Sequence, residues 1–169
     1  MSETIEVQER GRTLAFSFDD MLKYHGPGSP GGVATAFKVL QRALALLSPD
    51  APPPRREIAV RTSFGGPGAR DGFEAVTRCV TGDRFTVDSS LERPERGYVL
   101  ERFVFEVSLG ERSVTLLLRE GFVNEEFIDM ARKPDRTAAD EAHFDELKAQ
   151  VAARVMGAPA AEVYDLVDA

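Results

Sequence analysis

The sequence predicts an α+β fold. Three observations carry this: helical apolar periodicity in several segments, strict alternation in others, and an element order that is not the strand–helix alternation of a parallel sheet. At 169 residues and 43% apolar content, the chain can build one real core and is short for two, so residues 1–169 read as a single domain.

Taken in order, Leu14 to Tyr24 reads as a short helix, with Leu14, Phe18, Met21 and Leu22 apolar and Asp19 and Asp20 between them. Val33 to Leu47 is the clearest helix. Val33, Phe37, Leu40, Leu44 and Leu47 recur at steps of four and three, while Lys38, Gln41 and Arg42 lie off that stripe. Ser48-Pro49 and the run Pro52-Pro53-Pro54 end it. Ile58 to Phe64 alternates and predicts a strand buried on one face, followed by the glycine-rich Gly65-Gly66-Pro67-Gly68. Asp71 and Glu74 have capping-box spacing, which predicts a helix from Asp71 that carries Phe73, Val76 and Val80 inward and has Cys79 in its last turn.

After Gly82 the pattern becomes extended. Phe85 to Val87 is a short strand, and Tyr98 to Leu109 and Ser113 to Arg119 form a hairpin about Gly110-Glu111-Arg112. Asn124 to Arg132 is a helix stopped by Lys133-Pro134. A longer one starts at Thr137, carries Phe144, Leu147, Val151 and Val155, and ends at Gly157. Pro159 to Val167 is a last short helix. Residues 48–56 and 88–97 read as mobile loops.

Composition narrows the function classes. Lys and Arg total 21 against 28 Asp and Glu, a formal charge of −7 that opposes wrapping a polyanion, so no nucleic acid is expected as partner. Apolar runs such as Val114-Thr115-Leu116-Leu117-Leu118 are far below the ~20 residues of a membrane helix, so no membrane association is expected either. The acidic start Ser2-Glu3-Thr4-Ile5-Glu6 is unlike a signal peptide, and the expected location is cytoplasmic. One cysteine excludes an internal disulfide, a CxxC pair and a Cys-rich zinc or iron–sulfur site within one chain.

The most informative stretch is His25-Gly26-Pro27-Gly28-Ser29-Pro30-Gly31-Gly32. It brings an imidazole, a hydroxyl and free backbone amides to the start of a helix, where unpartnered N–H groups and the dipole favour an anion. His25, Ser29, Gly31 and Gly32 are therefore the candidate ligand-binding residues, and tight-turn chemistry is the competing account. His25, Ser29 and Asp71 have the residue types of a hydrolytic triad, but no G-x-S-x-G elbow surrounds Ser29, which suits an N-cap better. Cys79 is a candidate nucleophile placed at the wrong end of a helix dipole, and reads more simply as a small buried hydrophobe. His25, Asp71 and Cys79 have the atoms of a metal site without its local spacing. His143 and the charged run Asp88 to Arg96 read as solvated surface.

His25-Gly-Pro-Gly-Ser29-Pro-Gly31, the helix behind it, the strand at 58–64 and Asp71-Gly-Phe-Glu-Ala-Val-Thr77-Arg-Cys79-Val-Thr81-Gly82 together resemble the formylmethanofuran dehydrogenase E-subunit family. His25, Pro30, Gly31, Asp71, Thr77, Cys79 and Gly82 fall on matching motif positions. Pro27 stands where the family has a second histidine, Ser29 where it has a cysteine, and a further family cysteine falls near Gly68. No cysteine-rich tail follows Cys79. The resemblance implies the family's α+β core, in which helices pack on one face of a mainly antiparallel sheet, a homodimer, and motif loops gathered in a cleft near the interface. With soft ligands lost, it implies no cofactor and disfavours a metal. The leading expectation is a stand-alone relative that binds a small anionic molecule in a cleft at the His25 loop. The alternatives are an enzyme of unknown reaction that uses His25 as acid/base or metal ligand with Cys79 or Asp71, and a structural accessory subunit.

Overall fold

In the computed structural model, residues 3–167 are described. The chain opens with a hairpin, β1 (Thr4–Glu9) and β2 (Arg12–Ser17), closed by Arg10 and Gly11 at φ 52° and 79°. Both turn residues lie in the left-handed region that two-residue hairpin turns require. This hairpin replaces the first half of the helix expected over Leu14 to Tyr24. The helix α1 (Phe18–His25) begins only at Ser17, whose side chain accepts from the Asp20 amide while Asp20 accepts from the Ser17 amide. Two periodicities meet at Ser17 and look like one in the sequence.

Next comes α2 (Pro30–Leu47), the core of the molecule, with every residue from Val33 to Leu40 buried. Its apolar stripe is as expected, but Lys38 is not on a solvated face. Its side chain is 1% exposed and runs out along apolar neighbours until Nζ meets Glu3 Oε2 at 3.3 Å. Then follow β3 (Ile58–Thr62), α3 (Pro67–Thr77) and β4 (Phe85–Val87). Helix α3 starts four residues before Asp71, and there is no capping box there; Cys79 lies two residues past its end.

The expected long strand shortens to β5 (Val104–Leu109), with Tyr98 to Arg102 in turns, and pairs with β6 (Arg112–Leu118) across the expected Gly110 turn. α4 (Glu125–Arg132) and α5 (Ala138–Met156) follow, capped by Asn124 and by a Thr137–Asp140 capping box. The predicted last helix is only α6 (Ala160–Val163), after which Tyr164–Leu166 forms β7. The segments expected to be mobile hold three short 3-10 turns, at Arg55–Glu57, Ser89–Leu91 and Pro94–Arg96.

The main sheet has the order β4-β3-β5-β6-β7. Every pairing is antiparallel except β3 with β4, which α3 connects. The fold is thus mixed α+β with a mainly antiparallel sheet. On one face the rows Val60–Val107 and Thr62–Phe105–Leu116 are buried in the helical layer, while Arg61, Glu106 and Thr115 form a half-buried row on the other. Leu100, Leu116 and Leu118 are buried within this one chain, while Tyr98 is exposed. Among the described residues, no helix is long and apolar enough to cross a membrane.

Candidate functional site

Two helices begin side by side. α2 opens Ser29-Pro30-Gly31-Gly32 and α3 opens Gly66-Pro67-Gly68, each with proline at the first helical position, where its missing N–H costs nothing. The glycines allow the contact. A Cβ on Gly32 would lie 2.8 Å from the Ala69 amide nitrogen, and one on Gly68 would run into the Ser29 carbonyl oxygen. Ser29 occupies the N-cap position of α2, yet its side chain makes no capping hydrogen bond. Neither first turn holds an acidic residue.

Both N-termini open onto a cleft of about 480 Å³. Ser29, Gly31 and Gly32, three of the four candidate ligand-binding residues, line it together with Gly65 to Gly68. Its apolar wall is largely aromatic: Phe64 packs on Phe103 with centroids 4.7 Å apart, Phe127 on Phe144 at 5.7 Å, and Tyr98 adds a fifth ring. Burial, with Asp129 and Glu125 nearby, pushes the Tyr98 phenol above its ordinary range, and its hydroxyl donates to Asp129 Oδ1 at 3.2 Å. Four basic residues complete the lining: Arg102, Arg132, Arg136 and Lys148. No aspartate or glutamate is part of it. Arg136 and Lys148 lie over the Phe144 ring at 4.8 and 4.2 Å, and Arg132 over Tyr98 at 5.7 Å, which fixes these cations where they stand.

His25 is not part of the cleft wall, contrary to the expectation for it. It is the last residue of α1, its side chain is 8% exposed, and its Nδ1 lies 2.8 Å from Oδ2 of Asp71 on α3. Pairing with a carboxylate places the proton on Nδ1, so in the neutral ring the Nε2 lone pair is free. Nε2 is buried without a partner beneath the loop; a Cβ on Gly28 would lie 3.9 Å from it. Two members of the candidate triad are thus together, and Ser29 makes no hydrogen bond to them.

Cys79 belongs to neither group. It is fully buried beyond the far end of α3, six residues or ~9 Å of helix rise separating Asp71 from Thr77 alone. Burial pushes its thiol above the ordinary range, against the opposing effects of the Thr77 hydroxyl and Arg84, so it is a poor nucleophile. His25, Asp71 and Cys79 do not converge as a metal set, and among the described residues no three His, Cys, Asp or Glu gather as a metal site. His143 is on the surface as expected, 44% exposed between Glu126 and Glu146.

Sequence reasoning missed the four cations and the aromatic wall, which come from the segment after β3, the turns after β4, α4, α5 and the loop between those two helices. One signal was present: the Pro-Gly pair that opens α2 recurs at Pro67-Gly68. No protein-family model matches the chain, and no curated protein matches it.

Proposed function

We propose that the protein binds a small anionic molecule in this cleft, as a stand-alone relative of the formylmethanofuran dehydrogenase E-subunit core. The observation that carries the anion reading is a reversal of sign. A chain with 28 acids, 21 bases and a net charge of −7 presents a cleft lined by four cations and no acid. Two uncapped helix N-termini on the same wall add donors and partial positive charge. The relationship is supported by the meeting of the two motif segments, since His25 of the first is bonded to Asp71 of the second. A cytoplasmic homodimer is part of this reading, the dimer through the resemblance and the location through the short apolar runs of the sequence.

Thermal unfolding in low-salt buffer with phosphate, sulfate, acetate and benzoate tests the anion site. At least one anion should raise Tm, by an amount that corresponds to about 2.7 kcal/mol at a hundredfold excess over Kd. The rise should shrink in ~0.5 M NaCl through screening. It should also be lost on combining Arg102→Gln with Lys148→Met. No rise with any anion, or an unchanged rise in that variant, refutes the reading.

One observation favours a second reading, an enzyme with His25 as acid/base. Asp71 holds the ring by Nδ1 and leaves Nε2 unpartnered, the arrangement a general base needs. Cys79 has no part in that version.

A further inference from the structure

Four cations and two helix N-termini would serve an inorganic oxyanion as well as an organic acid; the rest of the wall would not. A cleft of about 480 Å³ lies within the size range of organic-ligand sites, and phosphate would fill a small part of it. Phe64 and Phe127, the half-buried ring of each pair, would then stay against water, with nothing gained from their faces.

The cations also differ among themselves. Arg102 has Glu92 at 3.4 Å, Arg132 has Glu101 at 3.4 Å, and Arg136 has Glu141 at 2.8 Å. Lys148 has only Asp145, at 3.8 Å and 72% exposed, a separation and exposure at which the pair is worth little. Its Nζ donates to the Gly28 carbonyl oxygen at 2.9 Å, which leaves two donors. Through that bond the least neutralised cation stands at the loop leading into α2, and it lines the same cavity as Ser29 and Gly31. The charge-seeking corner and the aromatic wall are parts of one cavity.

Resting on the anion reading, we infer that the ligand is an aromatic carboxylic acid. Its carboxylate sits at Lys148 beside Ser29 and Gly31, and its ring lies against the Phe64–Phe103 and Phe127–Phe144 pairs. Isothermal titration of the intact protein with 2-naphthoate, acetate and the neutral 2-naphthalenemethanol tests this. 2-Naphthoate should bind at least about tenfold more tightly than either of the others, the equivalent of one power of ten in Kd. Lys148→Met, which keeps the stem over Phe144, should weaken 2-naphthoate about tenfold and leave the alcohol unchanged. Phe64→Leu should weaken 2-naphthoate and leave acetate unchanged. Equal affinity for 2-naphthoate and acetate means charge alone is recognised, which overturns the aromatic inference and spares the anion site. Equal affinity for 2-naphthoate and the alcohol, or no binding by any of the three, overturns both. The ligand series on the wild-type protein decides the matter even if a variant fails to fold.

Discussion

The two ends of α3 are finished in opposite ways. At its C-terminus Arg55 donates to the carbonyls of Val76 and Ala75, both at 2.9 Å, and Arg84 to those of Thr77 and Arg78 at 2.9 and 3.0 Å. Glu74 turns back to accept the Val80 and Thr81 amides, and Arg78 adopts the left-handed conformation that closes the helix. At its N-terminus there is no side-chain cap and no acid. Pro67 has no N–H, and the Gly68 and Ala69 amides have no acceptor among the described residues. A buried helix end needs its orphan groups satisfied, and the fold does so with two arginines and a glutamate at one end. At the other no side chain takes that part, and Gly66, Pro67 and Gly68 line the cleft. That contrast separates scaffold from site within a single eleven-residue helix.

The comparison can be broken first at the open end. Gly68→Ala should be the most damaging single substitution, at about 3 kcal/mol, because its Cβ meets the Ser29 carbonyl, with the Ser29 Cβ at 2.9 Å and the Val33 nitrogen at 3.1 Å. Backbone cannot swing aside as a side chain can, so α2 and α3 must separate. Gly65→Ala is the control in the same glycine run: nothing lies within 4 Å of its Cβ, and the change should cost under ~0.5 kcal/mol. Urea midpoints of the two variants measure the difference, and equal midpoints would mean that the helix N-termini are not in close contact.

At the closed end, Glu74→Gln should cost about 2 kcal/mol at neutral pH, since it takes the charge from a buried acceptor of two amides and a hydroxyl. Burial works to raise the Glu74 carboxyl. The Thr81 hydroxyl and amide, the Val80 amide and Arg78 outweigh it and hold the group below the ordinary range. A carboxylate depressed by folding stabilises above its unfolded pKa, ~4.3, and the contribution is lost as pH falls through the lower folded value. The gap between wild type and variant should therefore be full at pH 7 and shrink below about pH 4. A gap independent of pH would show that the charge of Glu74 has no part in closing the helix.

The same contrast explains what could be read from the sequence. The α2 stripe, the Gly110 hairpin and the Thr137 start of α5 were legible because periodicity and local caps determine them. Asp71 and Glu74 were misread as a capping box because both side chains are engaged elsewhere, with His25 of α1 and with the Thr81 turn. Lys38 lies off the apolar stripe and is buried all the same, because nothing local says that α2 is covered on nearly all sides. β1 and β2 were hidden by their polar residues, although Ile5 and Val7 alternate, and β7 is too short to announce itself. In the cleft, Ser29 to Gly32 could be picked out as one contiguous motif. Arg102, Arg132, Arg136 and Lys148 meet only through the packing of distant elements, and no spacing encodes that.

His25→Ala should have the smallest effect on stability of the changes that break a contact, about 1–2 kcal/mol, and it sharpens the comparison most. The imidazole is buried to 8% exposure and bonded to Asp71, so its removal strands a carboxylate and leaves a gap under the Gly28 loop. The cost stays toward the lower part of the usual range because Asp71 is 29% exposed, where water can replace the imidazole, and has Arg70 at 3.6 Å. This is more than a surface histidine would cost, and it fits a ring that braces α1 against α3. Binding separates bracing from chemistry. If His25 only supports the N-terminal end of α3 from behind, His25→Ala should leave 2-naphthoate affinity within about twofold, a difference of roughly 0.4 kcal/mol. A loss of tenfold or more, with stability lowered by no more than about 2 kcal/mol, would mean that the free Nε2 reaches the bound ligand. The pair with Asp71 would then belong to the site itself, and the acid/base reading would displace the binding one.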